Sequence, residues 1–166
     1  LDPVREHLRI EPLTAGLDVL LAYLLTLSAR DAAALVNSVV DACRVDGPEI
    51  GRRERAMAVA LGARYPGDAG VVAALLLNFI TLAPGEGLFL GAGNLHAYLQ
   101  GTAVEIMANS DNVLRGGLTP KHIDVETLLA VVDVAPICPD VQCPARIDGV
   151  TTYDTPVPDF SLQRIE

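Results

Sequence analysis

Apolar residues recur every three to four positions along the first 80 residues, which is the period of helices that bury one face. The pattern predicts four helices, at residues 17–27, 28–45, 49–65 and 71–77. Ser28 and Asp31, three residues apart, form a weak variant of the capping box at the start of the second helix. Most of the first half is therefore predicted to be helical.

Beyond these helices the apolar and polar positions alternate, which is the period of a half-buried strand. Segments 94–100 and 104–109 both alternate, with a glycine between them, so we expect a hairpin with a tight turn. In the register of a two-residue turn, Glu105 lies on the same face as His96 and Tyr98. The sequence therefore predicts that a histidine, a phenol and a carboxylate converge.

A cationic, glycine-rich segment follows the predicted hairpin. Arg115 precedes Gly116 and Gly117, whose backbone N–H groups are approachable beside the guanidinium, and Lys121 adds a second positive charge. Arginine offers phosphate a planar fork and lysine offers a point charge. A phosphorylated ligand therefore suits this segment better than an uncharged one.

The block GNLHAYLQGTAVEIMANSDNVLRGGLTPKH, residues 93–122, resembles the corresponding block of class I mannose-6-phosphate isomerases, which are zinc enzymes of the cupin type. The resemblance is tight over residues 82–124. It implies an aldose–ketose isomerase that interconverts mannose 6-phosphate and fructose 6-phosphate through an enediol. It also implies that Zn²⁺ orders the sugar oxygens and stabilises developing negative charge.

The resemblance assigns roles to individual residues of this block. His96 is implied to be a zinc ligand, and Arg115 to be the arginine that stabilises the anionic intermediate or assists proton transfer. The other members of the implied pocket are Glu105 and Asp111, as catalytic residues, and Tyr98 and Lys121, as substrate-binding residues.

Each of these residues also has a structural interpretation. From spacing alone, His96 is an interior histidine held by hydrogen bonds, and Glu105 is a salt-bridge partner of the histidine or of the arginine. Asp111 suits a turn or a helix cap, Tyr98 suits a packed ring with a satisfied hydroxyl, and Lys121 suits a solvated surface. His7 and His122 are expected to be surface or structural residues.

The zinc site implied by the resemblance is incomplete in this chain. Its other ligands are a Gln-x-His pair and a Glu that precede the helical region, and the sequence contains no Gln-x-His. Zinc normally takes three or four ligands. We therefore expect the chain to be a fragment, or the ordered remainder, of a longer polypeptide whose remaining part supplies the other ligands.

Two other classes of function remain open at this stage. If the native protein truly lacked the missing ligands, the chain would be a non-catalytic sugar-phosphate-binding cupin module. The other alternative is a structural fragment that must dock with another chain, which would suit the high apolar content of 51%.

The predicted fold class is α+β, with a helical segment followed by part of an antiparallel cupin-type β-barrel, or jelly roll. We expect a helical region over residues 1–80 and a partial cupin-type domain over residues 81–166. The second region contains one predicted helix near 124–134, with Asp124 as its cap. The barrel comes from the resemblance, because alternation alone gives one hairpin.

The composition of the chain limits which classes of partner and which cellular compartment are expected. The net charge of −9 disfavours nucleic acid and anionic membrane surfaces. The apolar runs are shorter than the roughly 20 residues that span a bilayer. Cys43, Cys138 and Cys143 are an odd number without a paired framework, which favours a reducing cytoplasm. We therefore expect a cytoplasmic enzyme that acts on a sugar phosphate, without a nucleic-acid or membrane partner.

Overall fold

The computed structural model describes residues 16–109 and 113–165. Their helices are α1 (Leu17–Thr26), α2 (Ala29–Arg44), α3 (Arg52–Arg64), α4 (Gly70–Ala73), which continues as a 3₁₀ turn (Ala74–Leu76), and α5 (Val125–Val131). The helices expected from the apolar spacing are confirmed, with ends that differ by at most three residues.

The capping residues expected from the sequence explain where two of these helices begin. Ser28 Oγ accepts a hydrogen bond from the Asp31 backbone N–H at 3.2 Å and donates its own hydrogen to Asp31 Oδ2 at 2.7 Å. Asp124 Oδ1 accepts from the Thr127 backbone N–H at 3.0 Å at the start of α5. Both bonds satisfy a backbone donor that the first helical turn leaves without an acceptor.

A compact core lies between α2, α3 and α4. Val36 and Val40 of α2 meet Leu61 of α3 and Val71 of α4, and all four are buried. Leu118, which lies in the loop after the second glycine of the cationic segment, packs against the same cluster. Helix α1 packs against both α4 and α5. The helical layer therefore touches the segment that carries the candidate chemistry.

Two small antiparallel sheets complete the described structure. Strand β1 (Gly87–Leu88) pairs with β2 (Val141–Gln142), and the other sheet has the order β3 (Arg146–Ile147), β4 (Val150–Tyr153), β5 (Leu162–Ile165). Helices combined with antiparallel sheets confirm the α+β class. The paired strands of the described residues do not close into a barrel.

The predicted hairpin over 94–100 and 104–109 is wrong, because neither segment forms a hydrogen-bonded strand. Its apolar positions stay open to solvent, with Val104 83% and Ile106 43% exposed. A lone two-stranded ribbon is marginally stable in water unless a third strand or a helix covers its apolar face. No strand of the described residues flanks segments 94–100 and 104–109, so the alternation is present without a hydrogen-bonded ladder.

Among the helices within residues 16–109 and 113–165, none is by itself long and apolar enough to cross a membrane. Helices α1 and α2 meet that criterion only when they are taken together, by length and composition, across a bend of 118°.

Candidate functional site

His96, Tyr98 and Glu105 come together on the surface of the irregular segment. The rings of His96 and Tyr98 meet edge to face, with centroids 5.7 Å apart and planes at 73°. His96 Nε2 lies 4.0 Å from Glu105 Oε1. The predicted convergence of a histidine, a phenol and a carboxylate is therefore confirmed, although the ladder that was expected to produce it is absent.

The orientation of the His96 ring is set by a backbone contact. His96 Nδ1 lies 3.0 Å from the carbonyl oxygen of Asn94, which can only accept a hydrogen bond. Nδ1 therefore carries the hydrogen, and in the neutral ring Nε2 presents its lone pair on the side of Glu105. Metal-bound histidines commonly use this arrangement, in which the second ring nitrogen donates to a carbonyl.

Glu105 also acts on Tyr98. The pKa of Tyr98 is raised above its usual value by partial removal of the hydroxyl from solvent, by a hydrogen bond to Glu105 and by the negative charge of Glu105. Tyr98 thus stays a neutral hydrogen-bond donor at physiological pH.

The loop that carries Arg115 is fixed by a close backbone approach. A Cβ on Gly117, whose φ is +135°, would lie 2.6 Å from the Cα of Gly70 in α4. A Cβ on Gly116 would lie 2.7 Å from Leu95 Cδ2, so the residue before His96 packs against the residue after Arg115. The histidine cluster and the arginine loop are therefore neighbours in the structure.

The segment before His96 has its own anchor on α5. The Asp133 backbone N–H donates to the Gly93 carbonyl at 2.9 Å, just after the helix ends. Gly93 has a φ of +80°, and a Cβ there would lie 2.8 Å from the carbonyl oxygen of Val131. A glycine is therefore required at this contact.

The remaining predicted site residues are less well placed. Lys121 is exposed, and its backbone N–H donates to Thr119 Oγ1 at 3.2 Å. Asp111 lies outside the described residues. Within the described part of the chain, Glu105 pairs with His96 and not with Arg115, and no hydrogen bond or ion pair joins Arg115 to the histidine cluster.

Asp68, which precedes α4, contacts both the start of that helix and the arginine loop. Its Oδ1 accepts from the Gly70 N–H at 2.7 Å, and its Oδ2 accepts from the Thr119 N–H at 3.3 Å. The turn formers Pro66 and Gly67 signal a cap near this position, but nothing local signals a partner 51 residues away.

The zinc implied by the resemblance was tested against these side chains. Residues 16–109 and 113–165 contain no group of three or more His, Cys, Asp or Glu side chains able to hold a metal ion. His96 Nε2 has the chemistry and orientation of one ligand, and Glu105 Oε1 lies 4.0 Å from it. The described residues therefore fit part of a zinc site and do not complete one.

Comparison with known proteins identifies a class and then particular relatives. No family model matches the chain. The proteins that this chain resembles are sugar-phosphate isomerases of one kind. Mannose-6-phosphate isomerase of Rattus norvegicus is 49% identical over 108 residues, which is 62% of this chain and 26% of the relative. The enzyme of Salmonella typhimurium is 50% identical over 100 residues, or 59% of this chain and 26% of the relative.

Solved structures agree with the sequence relatives. The apo form of mannose 6-phosphate isomerase from Salmonella typhimurium matches with a TM-score of 0.77 and 36% identity, over 95% of this chain and 40% of that one. The resemblance found in the sequence is confirmed, because the chain is similar in sequence and in fold to part of the mannose-6-phosphate isomerases. It spans about a quarter of the length of the curated relatives that it matches.

Proposed function

We propose that this chain is the helical layer and part of the substrate site of a zinc-dependent enzyme that interconverts mannose 6-phosphate and fructose 6-phosphate. The observation that carries the proposal is the cluster of His96, Tyr98 and Glu105, packed beside the Arg115 loop in a chain with this family's fold. The cluster offers a directed nitrogen lone pair, a neutral phenol and a carboxylate. The loop offers a guanidinium for an anionic group.

Arg115 is the residue from which we expect the largest contribution. Within residues 16–109 and 113–165 its guanidinium has no ion-pair partner, which supports a role for its charge at the substrate phosphate or at the enediolate. Charged donors aimed at developing negative charge are among the largest contributors to catalysis. Lys121 adds a more mobile positive charge near the same end of the substrate.

The roles of the other site residues follow from their chemistry. We propose that Glu105 and Asp111 take part in the proton transfer between C1 and C2, and that Tyr98 donates a hydrogen bond to a sugar oxygen. Tyr98 is a neutral phenol, with its pKa raised above the ordinary value of 10.0, and its hydroxyl can donate to a sugar oxygen once it turns away from Glu105. Glu105 lies 4.0 Å from His96 Nε2 and accepts a hydrogen bond from Tyr98, so its carboxylate faces both side chains.

We propose that His96 binds the zinc through Nε2 together with ligands that the described residues do not supply. Bound zinc would order the sugar oxygens as a Lewis acid. The hydrogen bond from Nδ1 to the Asn94 carbonyl supports this assignment, because it holds the ring and its tautomer in place before any metal arrives.

The rest of the same polypeptide is the partner that we propose for this chain. The exposed apolar side chains of the site segment include Leu99, Val104, Ile106 and Met107, which a cupin-type barrel would cover. The short fraction of the relatives' length that the chain spans supports this view. We further propose a division into a helical region over 1–80 and a cupin-type region over 81–166, and a cytoplasmic location.

The test of the proposed function is isomerase activity on mannose 6-phosphate, measured in the longest form of the protein that its gene encodes. Arg115→Ala is expected to lower kcat/KM on the order of 10²–10³-fold, the usual effect of removing one donor to an anionic intermediate. Arg53→Ala is the matched control, because Arg53 is exposed on α3. Equal kinetics for the two variants would remove Arg115 from the site.

Zinc content tests the metal assignment separately from turnover. His96→Ala is expected to abolish zinc retention after dialysis, whereas His122→Ala, in an exposed position, is expected to keep the metal. Full zinc occupancy in His96→Ala would contradict the ligand assignment. Binding of mannose 6-phosphate by the unaltered protein without any turnover would favour the non-catalytic sugar-phosphate-binding module instead.

A further inference from the structure

We propose that Asp68 is a positioning residue, whose carboxylate ties the loop at residues 115–119 to the start of α4 and so fixes where Arg115 presents its charge. This inference rests on the proposed function. Asp68 belongs to the helical region, 47 residues before Arg115 in the sequence. It does not contact the histidine cluster, so its effect on the reaction would pass through the arginine loop.

The two oxygens of Asp68 have different tasks. Oδ1 accepts from the Gly70 N–H at 2.7 Å and satisfies a free donor of the first turn of α4. Oδ2 accepts from the Thr119 N–H at 3.3 Å, across a separation of 51 residues. Both bonds are partly buried, and hydrogen bonds to a charged acceptor are stronger than those between neutral groups. One side chain thus joins the helix to the loop.

The loop backbone is in a conformation that needs such support. Leu118 has a φ of +55°, which is an uncommon value for a bulky residue with a Cβ. Strained residues of this kind persist where the surroundings hold them in place. Three contacts do so here, namely the Leu118 side chain against the helical core, the backbone of Gly117 against Gly70, and the Asp68 bond to Thr119.

These three contacts lie two to four residues after Arg115. A movement of the loop backbone at Gly117 would therefore be transmitted to the guanidinium within two residues. Misplacement of a catalytic group by about 1 Å can cost on the order of 10²-fold in rate. Loss of the Asp68 bond to the loop is expected to lower mainly kcat, because the histidine segment keeps its own anchor just after α5.

Asp68→Asn is the informative substitution. An asparagine amide has one acceptor oxygen, and we expect the shorter bond, from the Gly70 N–H at 2.7 Å, to keep it, so that the Thr119 N–H, at 3.3 Å, faces the amide NH₂ and loses its partner. Asp31→Asn is the control for the loss of a carboxylate at a helix start, since Asp31 Oδ2 accepts from the Ser28 hydroxyl at the start of α2. Both variants lose one negative charge, and thermal unfolding of each shows whether folding is preserved.

Kinetics then separate positioning from simple stability. Asp68→Asn is expected to lower kcat about tenfold with a smaller change in KM, whereas Asp31→Asn is expected to match the unaltered enzyme. In the Arg115→Ala background, Asp68→Asn is expected to cost less than about twofold, because residues that act through one another are not additive. An undiminished tenfold loss in that background would overturn the proposal.

Amide hydrogen exchange supplies a readout that does not depend on activity. Asp68→Asn is expected to speed exchange at residues 117–119 at least fivefold, without a change in the middle of α2. Unchanged exchange in the loop would overturn the proposal even if kcat fell, and faster exchange with an unchanged kcat would overturn it as well. If the unaltered protein has no isomerase activity, the proposed function fails and loop exchange alone decides whether Asp68 holds the loop.

Discussion

Replacement of Gly117 by alanine tests the contact between the arginine loop and the helical layer. The backbone at Gly117 has a φ of +135°, which residues with a Cβ rarely adopt. The new Cβ would also lie 2.6 Å from Gly70 Cα and 3.0 Å from Asp68 Oδ1. Since Gly70 Cα belongs to the backbone of α4, it cannot turn aside as a side chain would. We therefore expect the loop to be displaced.

The two costs can be estimated separately. A sparsely populated backbone conformation costs about 1–3 kcal/mol. Overpacking in a well-packed region costs a further ~1–3 kcal/mol. Gly101→Ala isolates the first cost, because Gly101 has a similar φ of +116° and nothing lies within 4 Å of its Cβ position. Gly117→Ala is therefore expected to lose about 2–6 kcal/mol of unfolding free energy, and Gly101→Ala about 1–3 kcal/mol.

The assay is urea unfolding followed by far-ultraviolet circular dichroism, with isomerase activity measured on the same samples. Gly116→Ala is a second control, since its Cβ would meet Leu95 Cδ2, the far end of a flexible side chain. We expect it to cost less than about 1.5 kcal/mol, within the range for adjustable core positions. If Gly117→Ala were no less stable than Gly101→Ala, the backbone contact with α4 would not exist in solution.

Two further predictions concern the core and a helix cap. Val71→Ala is expected to lower the unfolding free energy by about 2–3 kcal/mol, because Val71 is 0% exposed and the loss of its methyl groups leaves a cavity. Val45→Ala, at a residue that is 67% exposed, should change the unfolding free energy by less than about 0.5 kcal/mol. Similar urea midpoints for the two variants would contradict this prediction. Hydrogen bonds from the Thr127 hydroxyl and N–H hold the pKa of Asp124 below its ordinary value of 3.8, so the cap should stabilise α5 above that pH and be lost as pH falls through the lower folded value. Amide exchange in α5 should therefore be slower in the unaltered protein than in Asp124→Asn at pH 6, and this difference between the two proteins should shrink at pH 2. An equal difference at both pH values would refute the assignment.

The helices could be predicted from the sequence because their determinants are local. The period of apolar residues and the caps at Ser28 and Asp124 lie within a few positions of the bonds that they form. The hairpin over 94–109 could not be predicted in the same way. The alternation separates apolar from polar side chains on the two faces of an extended chain. A stable strand also needs a neighbouring strand or a helix that covers its apolar face, and no described segment provides a paired strand.

In the candidate site, too, the contacts between residues close in sequence could be predicted and the distant ones could not. His96, Tyr98 and Glu105 are close in sequence, and the extended course of the chain brings their side chains together without a ladder. The role of Asp68 depends on a partner 51 residues away, and no local pattern encodes that distance. Positions held by non-local contacts are therefore the ones that sequence reasoning missed.

The arginine loop and the histidine segment are anchored on different helices. The arginine loop is anchored on α4 through Gly70, while the segment before His96 is anchored after α5 through Gly93. Helix α1 packs against both α4 and α5, with Leu24 1% exposed at its centre. Helix α1 therefore joins the two helices on which the site is anchored, in addition to the direct contact of Gly116 with Leu95. Because packed interiors transmit small displacements and do not absorb them, a change in the packing of α1 is expected to reach both anchors.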